Sequence, residues 1–375
     1  MNNFNKKLIF NKIISDTFKL FLTLIFSFGL IVWVIQAVNF LDFVTEDGHG
    51  LDIYFKYTIL SLPKIISELI PLIYFISLFY IITNYEENNE LKILWFIGIE
   101  KKELIKQILK FSLIIMFVFL FLKIMIVPFT QKEARRFIQT SNIDYFPSLI
   151  QEKKFIDTVK GLTIYVDEKN QNNFKNIFLE EEKKDSKQII FAKEGKLILN
   201  KNEKKFILNN GRVININQNN LNEFDFKTTT LNLENYITKS VTDFKIQEKS
   251  TVSLFSCFWN FHVLKKIIEF YDPNNCNNEA IKSIASELHK RIVKPMYILI
   301  ISLITSLVIL VPKENYLYKK SKIAIFFTSF LIIVLSEILV SLINLNNIIL
   351  IFINTLPILL FLIVYTINQK LKINI

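Results

Sequence analysis

The fold class of this chain is decided by residues 18–40, FKLFLTLIFSFGLIVWVIQAVNF. No charged residue lies between Lys19 and Asp42. A helix needs about 20 apolar residues to cross the hydrocarbon core of a membrane, and this stretch is long enough to do so. It therefore predicts a membrane-spanning helix.

Five further apolar stretches predict five more spans. They are Tyr57–Asn84, Ile108–Phe129, Pro295–Val311, Ile323–Ile343 and Ile348–Ile367. No such stretch occurs between about residues 131 and 290. We therefore expect an α-helical membrane protein with six transmembrane helices in a 3+3 arrangement. Helices one to three occupy 1–130, an inserted domain with a helical link occupies 131–290, and helices four to six occupy 291–375.

The overall composition conceals this division. The 375 residues are 51% hydrophobic and carry a net charge of +11. That apolar fraction is close to average, because it combines very apolar ends with a polar middle. The uneven distribution excludes an ordinary globular enzyme, a disordered chain and a disulfide-rich secreted scaffold. We do not take the charge as a sign of nucleic-acid binding, because many of the Lys residues lie in short loops beside the spans.

These Lys residues predict the orientation, since cytoplasmic loops carry an excess of Lys and Arg. They occur in both tails and in the loops after spans two and four, at Lys6, Lys7, Lys12, Lys19, Lys92, Lys101, Lys102, Lys106, Lys313, Lys319, Lys320, Lys322, Lys370 and Lys372. The link after span one is acidic instead, with Asp42, Glu46, Asp47 and Asp52. We expect a multi-pass protein of the cell membrane with both termini in the cytoplasm and the insert outside.

Short apolar runs between turn residues predict a β domain in the insert. The runs are Gly161–Asp167, Asn176–Leu179, Gln188–Ala192, Lys196–Leu199, Lys205–Leu208 and Arg212–Ile216. Glu194-Gly195 is interpreted as a tight turn and Asn209-Asn210-Gly211 as a hairpin turn. Strands at intervals of about ten residues predict an antiparallel sandwich or an open roll.

Motifs for catalysis and cofactor binding are missing. The chain contains no G-x-x-x-x-G-K-[ST], G-x-S-x-G, H-E-x-x-H or G-x-G-x-x-G pattern. Its three His residues are scattered, which predicts no metal site. Cys257 and Cys276 lie in the predicted exported part, where they form either a disulfide or two separate buried thiols. We therefore expect a protein that is not an enzyme and that holds no cofactor.

Four charged residues lie inside the predicted spans, namely Lys64, Glu68, Lys123 and Glu337. A charge within the membrane costs a few kcal/mol, so each needs a partner or a water-filled cavity. Lys64 and Glu68 are four residues apart and can pair along one helix face. The functional alternative is that Lys123 and Glu337 face a polar cavity for substrate head groups.

The loop after span two predicts an amphipathic helix at about residues 86–104. Its apolar positions at helical spacing are Leu91, Leu94, Trp95 and Gly98, and Glu86, Glu87 and Glu90 are expected in its first turn. The pair Trp95-Phe96 suits the groove of a partner protein. The helix could equally lie on the membrane surface, and the spacing leaves both alternatives open.

The order of these features resembles the LptF/LptG permease family, the inner-membrane half of the bacterial lipopolysaccharide exporter. The resemblance rests on the 3+3 layout, on residues 62–71 (LPKIISELIP) and on Asn89-Glu90-Leu91 followed by Gly98-Ile99. Residues 287–291 (ELHKR) with Pro295 also look like that family. The resemblance extends over essentially the whole chain and leans slightly to LptF.

The resemblance implies partners and a transport role. It implies a paired LptF/LptG-type permease and an LptB-type ATPase dimer that docks on the helix with Glu90 and Gly98. Spans one and five would form gates for lipopolysaccharide. The insert would be a periplasmic β-jellyroll that passes lipid to LptC-type and LptA-type bridge proteins. The substrate cavity or gate would involve Trp33, Gln36, Lys56, Lys64, Glu68, Lys123 and Glu337.

One departure from the family concerns the outer end of span one. Basic residues there are thought to meet the lipid's phosphates, yet Trp33–Asp42 contains no Lys or Arg. Either Lys56, Lys64 and Lys123 replace them, or the cations lie on the other subunit, or the substrate is less anionic. Two other functions compete: a membrane-anchored sensor or scaffold with a ligand-binding β domain, and a MacB/FtsX-like permease, which would carry its exported domain after span one.

Overall fold

A computed structural model describes residues 3–41, 51–141, 150–159, 161–170, 172–183, 186–200, 203–217, 220–232, 245–263, 278–343 and 347–370. The chain divides into two compact units. The first unit consists of Met1–Trp33, Leu62–Gln131 and Lys245–Ile375. The second consists of Val34–Ser61 and Lys132–Phe244.

The first unit is mostly helical, and the second unit contains helical residues before its strands in the sequence. The helices are α1 (Asn3–Asn39), α2 (Leu51–Glu87), α3 (Glu90–Phe96), α4 (Lys101–Phe121), α5 (Val127–Ser141), α6 (Thr251–Val263), α7 (Asn278–Leu288), α8 (Tyr297–Ser306), α9 (Tyr318–Ser341) and α10 (Asn347–Lys370).

Among the described residues, five helical runs are long and apolar enough to cross a membrane. They are Lys6–Asn39, Leu51–Glu87, Lys101–Phe137, Ala280–Leu310 and Tyr318–Ser341. The prediction of a helical membrane protein is therefore confirmed. The sixth predicted span coincides with α10, which contains a shorter apolar stretch, Leu350–Thr366, and it stays a prediction.

Two of the long runs contain a π-helical turn. Leu122–Ile126 joins α4 to α5, and His289–Val293 joins α7 to a 3-10 turn, Lys294–Met296, that leads into α8. A π turn holds one more residue than an α turn, which changes the direction of the side chains around it, and such turns are frequent at functional sites. The fourth run thus begins at Ala280, fifteen residues before the predicted start at Pro295.

The core of the first unit is centred on α8, which packs against α4, α9 and α10. Ile298, Ile300, Ile301 and Leu303 of α8 are completely buried. A helix that is apolar on all sides is stable only when other helices surround it, and α8 meets that condition.

The second unit contains a six-stranded antiparallel sheet whose strands follow one another in sequence order. The strands are β1 (Ile156–Val159), β2 (Leu162–Asn170), β3 (Asn173–Lys183), β4 (Ser186–Asn200), β5 (Glu203–Asn217) and β6 (Asn220–Asn232). The prediction of an antiparallel β domain is confirmed. Its core consists of Ile150, Leu162, Ile164, Val166, Phe174, Ile177, Leu179, Ile190, Ala192, Leu197, Phe206, Leu208 and Val213.

The predicted turns at Glu194-Gly195 and Asn209-Asn210-Gly211 are wrong, because β4 and β5 run continuously through them. The pairs Ala192↔Gly211 and Glu194↔Asn209 keep a single register across this point. A β-carbon on Gly211 would lie 2.0 Å from the Phe191 carbonyl oxygen, and one on Gly195 would lie 2.3 Å from Ile177 Cδ1. These glycines therefore permit close approach inside the sheet, where the sequence pattern indicates a reversal of the chain.

The same level of the sheet is a corner that several strands share. Asn176 on β3 and Asn210 on β5 have positive φ angles of 50° and 52°. Buried positions on β5 change there from Phe206 and Leu208 to Val213, which is a change of parity. Side chains alternate between faces along a strand, so this change of parity keeps apolar side chains on the inner face on both sides of the corner. The sheet therefore bends without exposing its core.

Candidate functional site

Four charged side chains form a continuous chain of ion pairs among the apolar helices of the first unit. The Lys123 ammonium binds one carboxylate oxygen of Glu68, and Lys294 Nζ lies 2.8 Å from the other. Lys294 Nζ is also 2.5 Å from Glu337 Oε1. We call Lys123, Glu68, Lys294 and Glu337 the charged network. It joins α2, α9 and the two helical runs that contain π turns.

The two cations of the charged network are far more buried than its carboxylates. The exposed fractions of the Lys123 and Lys294 side chains are 6% and 2%, against 44% for Glu68 and 52% for Glu337. A buried ammonium is stable only when a carboxylate compensates its charge, and Lys294 has two. The network has no formal net charge, which limits the cost of placing it in an apolar bundle.

The π turns place the two lysines. Lys123 lies inside the first π turn, and Lys294 directly follows the second. Pro295 follows Lys294 and has no backbone N–H. Proline is tolerated in the first turn of a helix, and here it lies at the start of the 3-10 turn Lys294–Met296. Lys294 was not among the residues predicted from the sequence. The signal that could have found it is a charged residue immediately before an apolar run of spanning length.

A third buried cation, Arg291, lies three residues before Lys294. The Arg291 side chain is 1% exposed and forms an ion pair of 2.8 Å with Glu287. Its guanidinium also donates to the carbonyl oxygens of Gln247 and Lys249 and to the Thr251 hydroxyl. It thereby ties the segment before α6 to the second π turn. The ELHKR segment of the sequence thus has a structural role.

The intrahelical pair expected between Lys64 and Glu68 does not form. Lys64 Nζ donates to Gln247 Oε1 at 2.8 Å, and Glu68 is occupied by the two network lysines. The carboxylate is closer to lysines on neighbouring helices than to the one on its own helix. Lys64 and Glu68 thus each have a polar partner, as expected for charges inside a span, but the partner is not the other residue of the pair.

The remaining residues predicted for the cavity or gate are Trp33, Gln36 and Lys56. Trp33 and Gln36 are half-buried and lie three residues apart on α1. Lys56 of the second unit is exposed, with its Nζ 4.0 Å from Asp52 and 5.6 Å from the centre of the Phe137 ring. The structure thus brings together only Glu68, Lys123 and Glu337 of the predicted set.

The segment predicted as one helix at about 86–104 is divided among three helices. Glu86 and Glu87 end α2, Glu90 begins the seven-residue α3, and α4 starts at Lys101. The expectation that all three acids lie in the first turn of one helix is therefore wrong for Glu86 and Glu87. Asn89 and Gly98, with φ angles of 62° and 88°, interrupt the helix on either side of α3.

The two faces of α3 differ sharply. Leu91 and Leu94 are buried in the core of the first unit, and Trp95 packs against that core. Phe96 is 81% exposed and Ile93 is 54% exposed. The expected knob of Trp95 and Phe96 is therefore Phe96, with Ile93 beside it, while Trp95 anchors the helix.

Ion pairs and hydrogen bonds join α3 and the end of α2 to the first turns of α9 and to the segment that precedes it. Lys92 Nζ lies 2.6 Å from Glu314, Lys322 binds Glu87, and the Lys313 backbone N–H donates to Glu86 at 2.8 Å. The hydrogen bond from Lys92 holds the pKa of the Glu314 carboxyl below its usual range. The Lys92 pair thus holds α3, and the contacts of Glu86 and Glu87 hold the end of α2, against this part of the first unit.

A polar cavity of about 420 Å³ lies in the first unit next to Glu337. It is lined by Lys282, Ser283, Ser286, Lys290, Glu337, Val340, Ser341 and Ile343. Cavities of this size hold small ligands or lipid head groups. Of the two residues predicted to face a polar cavity, Glu337 lines this one and Lys123 does not.

The described residues bear differently on the metal and on the disulfide predictions. They contain no group of three or more His, Cys, Asp and Glu that could hold a metal ion. Cys257 is a buried residue of α6, and its sulfur is part of a disulfide bond. Cys276 lies outside the described residues, so its disulfide with Cys257 stays a prediction.

Comparisons with known proteins agree with the sequence motifs. A family model described as "Lipopolysaccharide export system permease LptF/LptG" matches residues 12–368. The chain is also 26% identical over 287 residues to the uncharacterized protein RP871 of Rickettsia prowazekii (strain Madrid E), and the match covers 76% of each chain. The family match extends over nearly the whole sequence.

Proposed function

The chain belongs to the LptF/LptG family of lipopolysaccharide export permeases, and we propose that it is one permease subunit of an ATP-driven exporter in the bacterial inner membrane. The observation that carries this proposal is the family match over residues 12–368. In the proposal the subunit pairs with a second LptF/LptG-type permease. It extracts lipopolysaccharide from the outer leaflet and transfers it to LptC-type and LptA-type periplasmic proteins.

The proposal includes a topology of six spans, with both termini in the cytoplasm and the sheet of the second unit in the periplasm. The distribution of Lys among the short loops supports this orientation. The domains are residues 1–130, 131–290 and 291–375, and the middle one is a jellyroll-like fold. The bend of the six-stranded sheet supports this last point, because it curves one sheet around an apolar face.

Energy is proposed to come from an LptB-type ATPase dimer that docks on α3. The exposure of Phe96 and Ile93 supports this, since a short helix with an apolar outer face fits the groove of a partner protein. The ion pair of Lys92 would transmit movement from α3 to the segment before α9, and that of Lys322 would transmit movement from the end of α2 to α9. Among the other predicted residues, Glu90 and Gly98 would bound the docking surface.

Affinity purification of the tagged full-length protein tests the proposal. We expect an ATP-binding subunit and lipopolysaccharide to co-purify with it. The Glu90→Arg variant should lose the ATP-binding subunit and remain in the membrane, because charge reversal at the start of α3 disturbs docking without touching a span. Glu194→Arg, an equal charge reversal on the exposed face of β4, is the matched control and should retain the subunit.

A membrane-anchored sensor or scaffold would give a different result in this experiment. It predicts no ATP-binding subunit in the purified wild-type sample. Export of lipid at the normal rate by the Glu90→Arg variant would contradict the role assigned to Glu90.

A further inference from the structure

Helix α6 is apolar on two sides. One side packs against α7 in a small core that consists of Leu254, Cys257, Ile284 and Leu288. The other side carries three apolar residues that are at least half exposed, namely Val252, Phe255 and Trp259. Their spacing of three and four residues places them along one side of the helix. We call these three residues the exposed face of α6.

The exposed face of α6 is uncharged and aromatic. The Phe255 and Trp259 rings stack with a centroid distance of 6.1 Å and an interplanar angle of 21°. No Asp, Glu, Lys or Arg occurs in Thr251–Val263. The Ser256 hydroxyl donates to the Ser253 carbonyl oxygen at 2.9 Å, so it has an acceptor within the helix. A helix that is apolar all round is stable only when its surface is covered, either by protein or by lipid.

The start of α6 is attached to two of the helical runs that are long enough to span a membrane. The Thr251 hydroxyl donates to the Ile124 carbonyl oxygen at 3.0 Å, inside the first π turn. It accepts a hydrogen bond of 2.9 Å from Arg291, which lies in the second π turn. The two turns belong to the runs Lys101–Phe137 and Ala280–Leu310. Helix α6 therefore begins beside the spans.

The exposed apolar surface of the first of these runs leads to α6. Three residues of that run are more than half exposed, namely Phe121, Met125 and Phe129. Met125 directly follows Ile124, and Val252 directly follows Thr251, so exposed apolar residues adjoin both ends of the hydrogen bond between the two segments. The environment that covers the span at this point is therefore also next to the exposed face of α6.

Lipid fits the exposed face of α6 better than a protein partner does. A standard protein interface buries about 800 Å² on each partner and has a polar rim. Three side chains supply only a fraction of that area, and α6 has no charged residue that could form such a rim. Trp is enriched at the boundary between lipid and water, because its ring is apolar and its N–H is polar.

We propose that the exposed face of α6 lies in the head-group boundary of the membrane, in the leaflet on the side of the β domain. The occupant of this face is lipid, and α6 is an interfacial anchor. The choice of leaflet rests on the topology given under the proposed function. The anchor holds at the membrane surface the chain segment that follows the last strand of the sheet in sequence.

Nitroxide labels on introduced cysteines test the proposal in the full-length protein, reconstituted in vesicles of phosphatidylcholine. Phe255→Cys and Val252→Cys are the test variants. Ser253→Cys is the matched control, because Ser253 is also exposed on α6 but lies roughly 160° from Phe255 around the helix. The label reacts with the introduced thiol, since Cys257 is already in a disulfide bond. Thermal unfolding midpoints verify that the variants fold.

Power saturation measures how often each label collides with oxygen, which concentrates in lipid, and with a polar nickel chelate, which stays in water. We expect the ratio of oxygen to nickel collisions to be several-fold higher for Phe255→Cys and Val252→Cys than for Ser253→Cys. Met125→Cys is the reference for lipid, and Glu194→Cys is the reference for water. The ratio for Ser253→Cys should be close to the reference for water.

Equal ratios for Phe255→Cys and Ser253→Cys would overturn the proposal, because both sides of the helix would then share one environment. Low collision rates of the Phe255→Cys label with both reagents would also overturn it, since they would show that protein covers this face.

The topology and the proposed function are tested separately. An active alkaline phosphatase fused to the C-terminus would contradict the topology, and with it the leaflet, because this enzyme is active only outside the cytoplasm. The absence of a co-purifying ATP-binding subunit would contradict the proposed function. Neither result changes the collision ratios, which report only whether the exposed face of α6 contacts lipid.

Discussion

The charged network and the ion pairs around α3 both consist of Lys and Glu side chains, but the lysines of the network are buried and the pairs around α3 are exposed to solvent. Lys294 is almost fully buried between Glu68 and Glu337. Lys92 and Glu314 form a pair of similar length, but about half of each side chain is exposed. The free energy of an ion pair depends on whether water can replace the lost partner, so the two regions should respond very differently to substitution.

This difference indicates separate roles. The charged network holds four helical segments together, because each buried cation requires its carboxylate. The pairs around α3 contribute little to stability and instead orient a helix whose exposed face is free for a partner. The predictions that follow go from the network to α3.

The largest effect is expected for Lys294→Met. Loss of the Lys294 ammonium leaves Glu337 without its ion pair and Glu68 with one partner fewer. We expect this to destabilise the protein by about 3 to 5 kcal/mol. The unfolding midpoint of the purified protein in detergent measures this. Lys290→Met, four residues earlier, is the control and should change the midpoint little. Equal midpoints for both variants would show that the network is not structural.

Glu337→Gln should have an intermediate effect. Lys294 keeps its contact with Glu68, and the glutamine amide can still accept a hydrogen bond, so we expect a loss of about 1 to 2 kcal/mol. The same unfolding assay measures it. A loss as large as that of Lys294→Met would mean that Glu337, and not Glu68, is the essential counter-ion.

Phe96→Ala should leave the stability of the protein nearly unchanged, because exposed substitutions usually alter it by less than about 0.5 kcal/mol. The effect should appear in binding, since exposed aromatic anchors dominate many interfaces. We expect the recovery of the ATP-binding subunit in affinity purification to fall strongly. Trp95→Ala is the contrasting variant, which should lower the unfolding midpoint because Trp95 packs on the core.

The smallest effect is expected for Lys92→Ala. The Lys92 hydrogen bond lowers the pKa of Glu314 in the folded state, so its contribution is present above the unfolded carboxyl's pKa and lost as the pH falls through the folded value. Both groups are exposed, and we expect no detectable change of midpoint at neutral pH or in acid. A clear change at pH 7 that disappears in 1 M NaCl would show that this pair matters more than its exposure indicates.

Much of the helical architecture was predictable because apolar runs of spanning length leave few alternatives. Five predicted spans coincide with long apolar helices. The strands were also found, but their ends were not. Asn209-Asn210-Gly211 has the composition of a hairpin turn, yet the same residues provide the positive φ and the missing side chain that a bend within a strand requires.

The site was less predictable because its parts come from distant segments. The partners of Glu68 are 55 and 226 residues away, and no local spacing indicates such pairs. Likewise, the sequence indicated the adjacent pair Trp95-Phe96 as the contact for a partner. In the structure Trp95 packs against the core, whereas Phe96 and Ile93 are exposed.

The most direct test of the account is the composition of the complex purified through the full-length chain. We predict a soluble ATP-binding subunit, a second permease and bound lipopolysaccharide in the wild-type sample, and the loss of the ATP-binding subunit alone in the Phe96→Ala sample. A wild-type sample that contains neither an ATP-binding subunit nor lipopolysaccharide would contradict the assignment to an ATP-driven exporter.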